Sequence, residues 1–199
     1  MYTAHLANQA GLRAPAEKIM LDDLNKSLFL LINAKEGDAD VVRLAAVFLA
    51  QYFNWVVGLG LTAYLLATKQ PKLWLKLLGS CAVALVLAYV IGKLYYHPRP
   101  FILGLGQTVV GQHDTSSFPS RHLTFYWALV LPLCGFVRTR RLGLGLVVLG
   151  LIEAWARIYV GVHYPLDMVG SLLVALVASS VVWYWGGGVW PTSNQTNRG

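Results

Sequence analysis

The chemically loaded stretch of this chain is Arg157-Ile-Tyr-Val-Gly-Val-His163-Tyr-Pro-Leu-Asp167, which sets a guanidinium, an imidazole and a carboxylate between two strongly apolar segments. Pro is favoured at the first helical position, so Pro165 opens the second segment, Tyr164 is the expected cap and Asp167 falls in the first turn. A carboxylate there can reach back to a ring nitrogen of His163, fixing its tautomer and raising its basicity. That arrangement suits a nucleophilic histidine. The plain alternative is three interfacial polar residues snorkelling out of an apolar layer.

Two earlier stretches could complete a site. In Lys93-Leu-Tyr-Tyr-His-Pro-Arg-Pro-Phe101, two prolines bracket Arg99 and stiffen the backbone, so its guanidinium projects from a restrained loop. A planar fork held this way suits bidentate recognition of phosphate oxygens, although an Arg at a membrane edge also serves as a head-group anchor. His97 reads as a bystander. In Ser116-Ser-Phe-Pro-Ser120-Arg121-His122, Ser120 is a candidate N-cap that leaves the amides of Arg121, His122 and Leu123 free. A helix N-terminus with free N–H groups is an anion site, and Ser120, Arg121 and His122 add donors to it. Glu153 and Arg157 lie four residues apart on one helix face, where Glu153 is expected to neutralise and aim Arg157; a purely structural ion pair is the alternative. The glycine-rich 104–111 region lacks the Lys-Ser/Thr of a phosphate loop and reads as a plain connection.

The elements that must position these groups are apolar helices. The chain has 199 residues, of which 56% are hydrophobic and only 13% charged. With a mean hydropathy of +0.54, it falls among polytopic membrane proteins. Five apolar runs are near the roughly 20 residues needed to span: 41–67, 73–95, 122–137, 142–160 and 165–185. The third is short and is expected to extend slightly at either end. The 21–33 stretch has apolar residues spaced for a short amphipathic helix lying on the membrane surface. The expected fold is therefore all-α: a polytopic membrane helix bundle of about five spans plus an N-terminal interfacial helix. Its expected divisions are an interfacial segment over 1–38, a membrane-embedded domain over 39–187 and a flexible tail over 188–199. No cleavable leader is visible, and Cys81 and Cys134 fall inside predicted spans as small packing residues.

Lys69, Lys72 and Lys76 lie at the turn between the first two spans, and Arg138, Arg140 and Arg141 lie between the third and fourth. The positive-inside rule puts both turns in the cytoplasm, and the 96–121 loop and the 161–164 turn on the outer side. The net charge of +7 is thus partly a topology signal, and nucleic-acid binding is a poor explanation for it.

Together these residues resemble the type 2 phosphatidic acid phosphatase superfamily of membrane lipid phosphatases. Its signature is Lys, six residues, Arg-Pro; then Pro-Ser-Gly-His; then Ser-Arg, five residues, His, three residues, Asp. Arg99-Pro100, Pro119-Ser120-Arg121-His122 and Ala156-Arg157 through His163 to Asp167 match in order, over roughly residues 40–186. Three departures stand out: Lys93 is one residue too close to Arg99, Arg121 replaces Gly, and Ala156 replaces Ser. Within the superfamily the chain looks most like bacterial undecaprenyl pyrophosphate phosphatases, including those linked to bacitracin resistance.

The resemblance implies that His163 attacks phosphorus with Asp167 orienting it. His122 would protonate the leaving group and then activate water. Arg99, Arg157, Ser120 and, in the family pattern, Lys93 would bind phosphate; apart from the resemblance, the extra charge of Arg121 beside the anion site suits contact with the second phosphate of a pyrophosphate. It implies no cofactor and no metal, a lipid pyrophosphate or phosphate substrate among membrane lipids, and a bacterial inner-membrane site facing outward. A phosphatidylglycerophosphate or phosphatidic acid phosphatase, or a lipid A phosphotransferase, fits the same core motif. A transporter or structural subunit leaves His122, His163 and Asp167 unexplained.

Overall fold

A computed structural model describes residues 16–111 and 115–185; the 188–199 tail expected from sequence lies outside the described residues. The described residues are all-helical: α1 (Ala16–Ile32), α2 (Asp40–Gln51), α3 (Phe53–Ala67), α4 (Pro71–Leu94), α5 (Arg121–Val130), α6 (Arg140–Tyr159) and α7 (Pro165–Trp185). Short 3₁₀ turns occupy Pro100–Leu103 and Leu131–Gly135. Proline sets two of the starts: Pro71 and Pro165 are the first residues of α4 and α7, where a missing N–H costs nothing.

Three helices, Pro71–Leu94, Arg140–Tyr159 and Pro165–Tyr184, are long and apolar enough to cross a membrane, and α2 with α3 makes a fourth if the bent pair is one span. Their outward faces carry Leu75, Val86, Leu144, Val148, Leu173 and Val177, which suit contact with lipid chains. The protein is a membrane protein.

Two expectations need correction. The first span is not one helix: α2 and α3 meet at Tyr52 with a bend of 53°. The third begins at Arg121, one residue earlier than expected, but its α-helix stops at Val130 and passes into the 3₁₀ turn containing Pro132. Proline has no N–H to continue the α-helical ladder, which accounts for the change of pitch. The result is a short central post. Leu123, Tyr126, Ala128 and Val130 are fully buried, and α5 packs against both α4 and α7. On its other side α6 comes so near that a Cβ at Gly150 would collide with the Tyr126 and Trp127 rings.

The α1 helix is bolted down by polar side chains as well as by Phe29, which is fully buried. Asn33 donates from Nδ2 to the carbonyls of Tyr159 (2.9 Å) and Gln107 (2.8 Å) and accepts at Oδ1 from the Gln107 amide (2.6 Å). Asn25 accepts from the Leu166 amide at 3.0 Å. Gly161 turns the chain between α6 and α7 at φ +86°, and a Cβ there would run into the Gln107 carbonyl. Asn33→Leu leaves the part-buried amide and carbonyl of Gln107 without their side-chain partner, at about 1–3 kcal/mol each before relaxation, while Tyr159 keeps the Ala34 amide. Its thermal unfolding midpoint in detergent is therefore expected to drop clearly below that of Leu31→Ala on the exposed side of the same helix.

Candidate active site

Four helix termini meet at one end of the bundle. The α4 C-terminus carries Lys93, the α5 N-terminus carries Arg121 and His122, the α6 C-terminus carries Arg157, and the α7 N-terminus carries Asp167. The α4–α5 loop adds Arg99, Thr115 and Ser117, and the α6–α7 turn adds His163. Arg99, Thr115, Arg121, His122, Arg157 and His163 line a single cavity of about 470 Å³.

His163 is 1% exposed and held from both sides of its ring. Its Nδ1 lies 3.3 Å from Asp167 Oδ2 and 3.3 Å from Ser117 Oγ. Its Nε2 lies 3.4 Å from Arg99 Nη1. Asp167, also 1% exposed, uses the same Oδ2 to accept from the Tyr164 amide (2.8 Å) and the Ser117 hydroxyl. The cap geometry read from Pro165 is therefore present, with the carboxylate reaching back over the helix start to the imidazole. Ser117 has no distinguishing signal in the sequence, being one serine among several in the same loop.

Arg99 is fixed along its whole guanidinium. Nε donates to the Thr115 carbonyl (3.0 Å), Nη1 to the Val162 carbonyl (2.9 Å) and Nη2 to Thr115 Oγ1 (3.0 Å). Burial works to lower its basicity and the Asp167 charge works to raise it. Arg157 is 6% exposed and donates from Nη1 to the Ala50 carbonyl at 2.6 Å, in the last turn of α2 just before the bend.

Arg157 is not aimed by Glu153. The expected close ion pair does not form: Glu153 is fully buried, and Arg157 gives Nη1 to the Ala50 carbonyl instead, with no Glu153–Arg157 contact within salt-bridge distance. A free helix-end carbonyl at the α2–α3 break outcompetes a carboxylate one turn back along the same helix.

Ser120 occupies the N-cap of α5, but its hydroxyl makes no capping bond and is buried without a partner. Its carbonyl instead accepts from the Thr124 amide and hydroxyl and from Ser171 Oγ (3.0 Å), tying α5 to α7. Asn54 Nδ2 donates to the His122 carbonyl at 3.1 Å and ties the same helix start to α3. Arg121 and His122 are both exposed. Lys93 stands apart from the histidine cavity: its ammonium lies 5.7 Å from the Tyr89 ring centre, and with Arg121 and Ser116 it lines a neighbouring cavity of about 260 Å³. Arg121 and His122 also border an apolar groove of about 500 Å³ walled by Trp55, Leu59, Leu78, Leu85 and Phe125. Among the described residues, no group of three or more His, Cys, Asp and Glu side chains could hold a metal ion.

A buried histidine between Arg99 and Asp167, a neighbouring cavity lined by Lys93 and Arg121, and an apolar groove thus lie together at one end of the bundle. The chain belongs to the PAP2 superfamily, whose profile matches residues 73–190, and it is a hydrolase of lipid phosphates. It is 36% identical over 171 residues to YbjG of Escherichia coli strain K12, covering 82% of this chain and 85% of that one. It is 33% identical over 156 residues to the undecaprenyl-diphosphatase BcrC of Bacillus subtilis strain 168, covering 77% and 80%. The crystal structure of Aquifex aeolicus LpxE has the same fold, with a TM-score of 0.67 and 22% identity over 80% of this chain and 94% of that one.

Burial pushes the His163 imidazole down to about 3; the Arg157 and Arg99 charges act in the same direction and the Asp167 hydrogen bond against it. Its unfolded value is about 6.5, so between the two values the unfolded chain binds the extra proton. The stabilisation is complete above pH 6.5 and is lost as the pH falls below it, at about 1.4 kcal/mol per pH unit. The unfolding midpoint of the wild type is therefore expected to fall from pH 7 to pH 5 by clearly more than that of His163→Asn.

Proposed function

We propose that this chain hydrolyses undecaprenyl diphosphate to undecaprenyl phosphate through a phosphohistidine at His163. The observation that carries the reading is the junction at Arg121. One exposed guanidinium borders the histidine cavity, the Lys93 cavity and the apolar groove together. A diphosphate on a long hydrocarbon chain offers matching parts: a terminal phosphate, a second phosphate and a tail. The name of the Bacillus subtilis relative supports the same substrate.

With Nδ1 engaged by Asp167 and Ser117, Nε2 is the nitrogen left to attack. The Nε2–P bond forms as the bridging P–O bond breaks, and His122 gives its proton to the departing lipid phosphate. Water then attacks phosphorus, His122 takes its proton, and the N–P bond breaks to release inorganic phosphate. Arg99, Arg157, the Ser120 hydroxyl and the free amides at the start of α5 stabilise the equatorial oxygens, where charge gathers in the transition state. Arg121 and Lys93 hold the second phosphate, and no step needs a metal.

The basic turns 68–72 and 136–141 lie at the opposite end of the helices from the site, which supports a site on the outer face of a bacterial inner membrane. There it would regenerate the carrier-lipid monophosphate used in cell-wall synthesis.

Phosphate release by detergent-solubilised protein tests the reading, with undecaprenyl diphosphate, phosphatidylglycerophosphate and phosphatidic acid compared in EDTA. Undecaprenyl diphosphate is expected to be turned over fastest and His163→Ala to lose at least about 10³-fold in kcat. Activity surviving in that variant would remove the nucleophile, and loss to EDTA would remove the metal-free mechanism. Arg121→Gly is expected to lower the preference for diphosphate over monophosphate lipids by about tenfold or more, the worth of one charge-assisted contact. An unchanged ratio would refute its role.

A further inference from the structure

The catalytic carboxylate is half unsatisfied. Asp167 Oδ2 receives the Tyr164 amide, the Ser117 hydroxyl and His163 Nδ1, while Oδ1 is buried and receives no hydrogen bond. Facing it at 3.8 Å is His97 Nδ1, which is likewise buried without a hydrogen bond. Two orphaned polar atoms of opposite kind pointed at each other are a costly arrangement unless they pair.

The His97 backbone is fastened to the segment that carries Ser117. Its amide donates to Ser116 Oγ (3.1 Å) and its carbonyl accepts from the Ser117 amide (2.7 Å). The ring lies between Tyr95, 6.2 Å away and nearly parallel, and Tyr164, 5.2 Å away and tilted. Its Nδ1 is buried, the side chain as a whole is 23% exposed, and His97 lines the small cavity beside α1 together with Asp22, Asn25 and Lys26.

We propose that His97 is a positioning residue for the reaction. Its Nδ1–H donates to Asp167 Oδ1 and completes a His163–Asp167–His97 array in which each carboxylate oxygen serves one imidazole. A shift of about 0.8 Å brings the pair to hydrogen-bond distance. Fixed at both oxygens, the carboxylate cannot swing about its last torsion, so Oδ2 stays on His163 Nδ1 and Nε2 stays aimed. This rests on the reading of His163 as nucleophile.

The donor and the packing of His97 can be separated. His97→Asn places an amide N–H where Nδ1 stands, His97→Gln places one only where Nε2 stands, and His97→Phe keeps the ring alone. With undecaprenyl diphosphate, the Phe and Gln variants are expected to lose about tenfold or more in kcat at nearly unchanged KM, and the Asn variant to stay within about threefold of wild type. In an Asp167→Asn background the Phe substitution is expected to cost less than about twofold, because its effect runs through the carboxylate.

Wild-type kcat in both Phe and Gln variants, or the same loss in the Asp167→Asn background, overturns the proposal. The Gln and Asn pair decides the matter even if the Phe variant fails to fold. His163→Ala, run alongside, separates the two failures: activity there sinks the nucleophile, whereas its loss beside a fully active His97→Gln sinks only the role of His97.

Discussion

A carboxylate buried at the rim of an apolar bundle is the constraint around which this site is arranged. Asp167 is placed by the first turn of α7, where Pro165 sets the helix start and the Tyr164 amide is free to meet it. Its remaining partners arrive from the α6–α7 turn and from the α4–α5 loop, two connections far apart in sequence. Meeting one carboxylate therefore fixes the path of both. Arg99 is held in turn by the carbonyls of that loop and of Val162, so its guanidinium and the His163 imidazole share one backbone frame.

Helical span and chemical spacing were legible where they obey a local period. Arg157, His163 and Asp167 could be read because a proline-started helix sets the reach from carboxylate to imidazole. Arg99 stood out because two prolines restrict it, and His122 because it follows a cap-like serine. The helices themselves were legible from unbroken apolar runs.

What escaped reading depends on contacts with no local signature. The bend at Tyr52 involves neither glycine nor proline, yet it turns the last carbonyls of α2 toward Arg157 and displaces Glu153 from the role its spacing suggests. Ser117 and His97 lie in segments where the eye goes to Pro98, Arg99 and Ser120. Only the closing of the loop against α7 gives them meaning. Asn25 and Asn33 likewise look like the polar side of an amphipathic helix, although both are buried and hold α1 on the turn that bears His163. The surface helix is thus part of the scaffold of the site.

The groups around the attacking nitrogen and those around the rest of the ligand sit in different physical settings. Asp167, His163, Arg99 and Arg157 are all buried, and the first three are multiply bonded, so replacing any of them disturbs packing and hydrogen bonding together. Arg121 is exposed at the meeting of three cavities and enters no hydrogen bond on which the frame depends. Substitution there leaves the hydrogen bonds that hold Asp167, His163 and Arg99 in place. The enclosed frame and the open junction are thus mechanically separate, so the surface beside the site can change its charge without reshaping the pocket that holds His163.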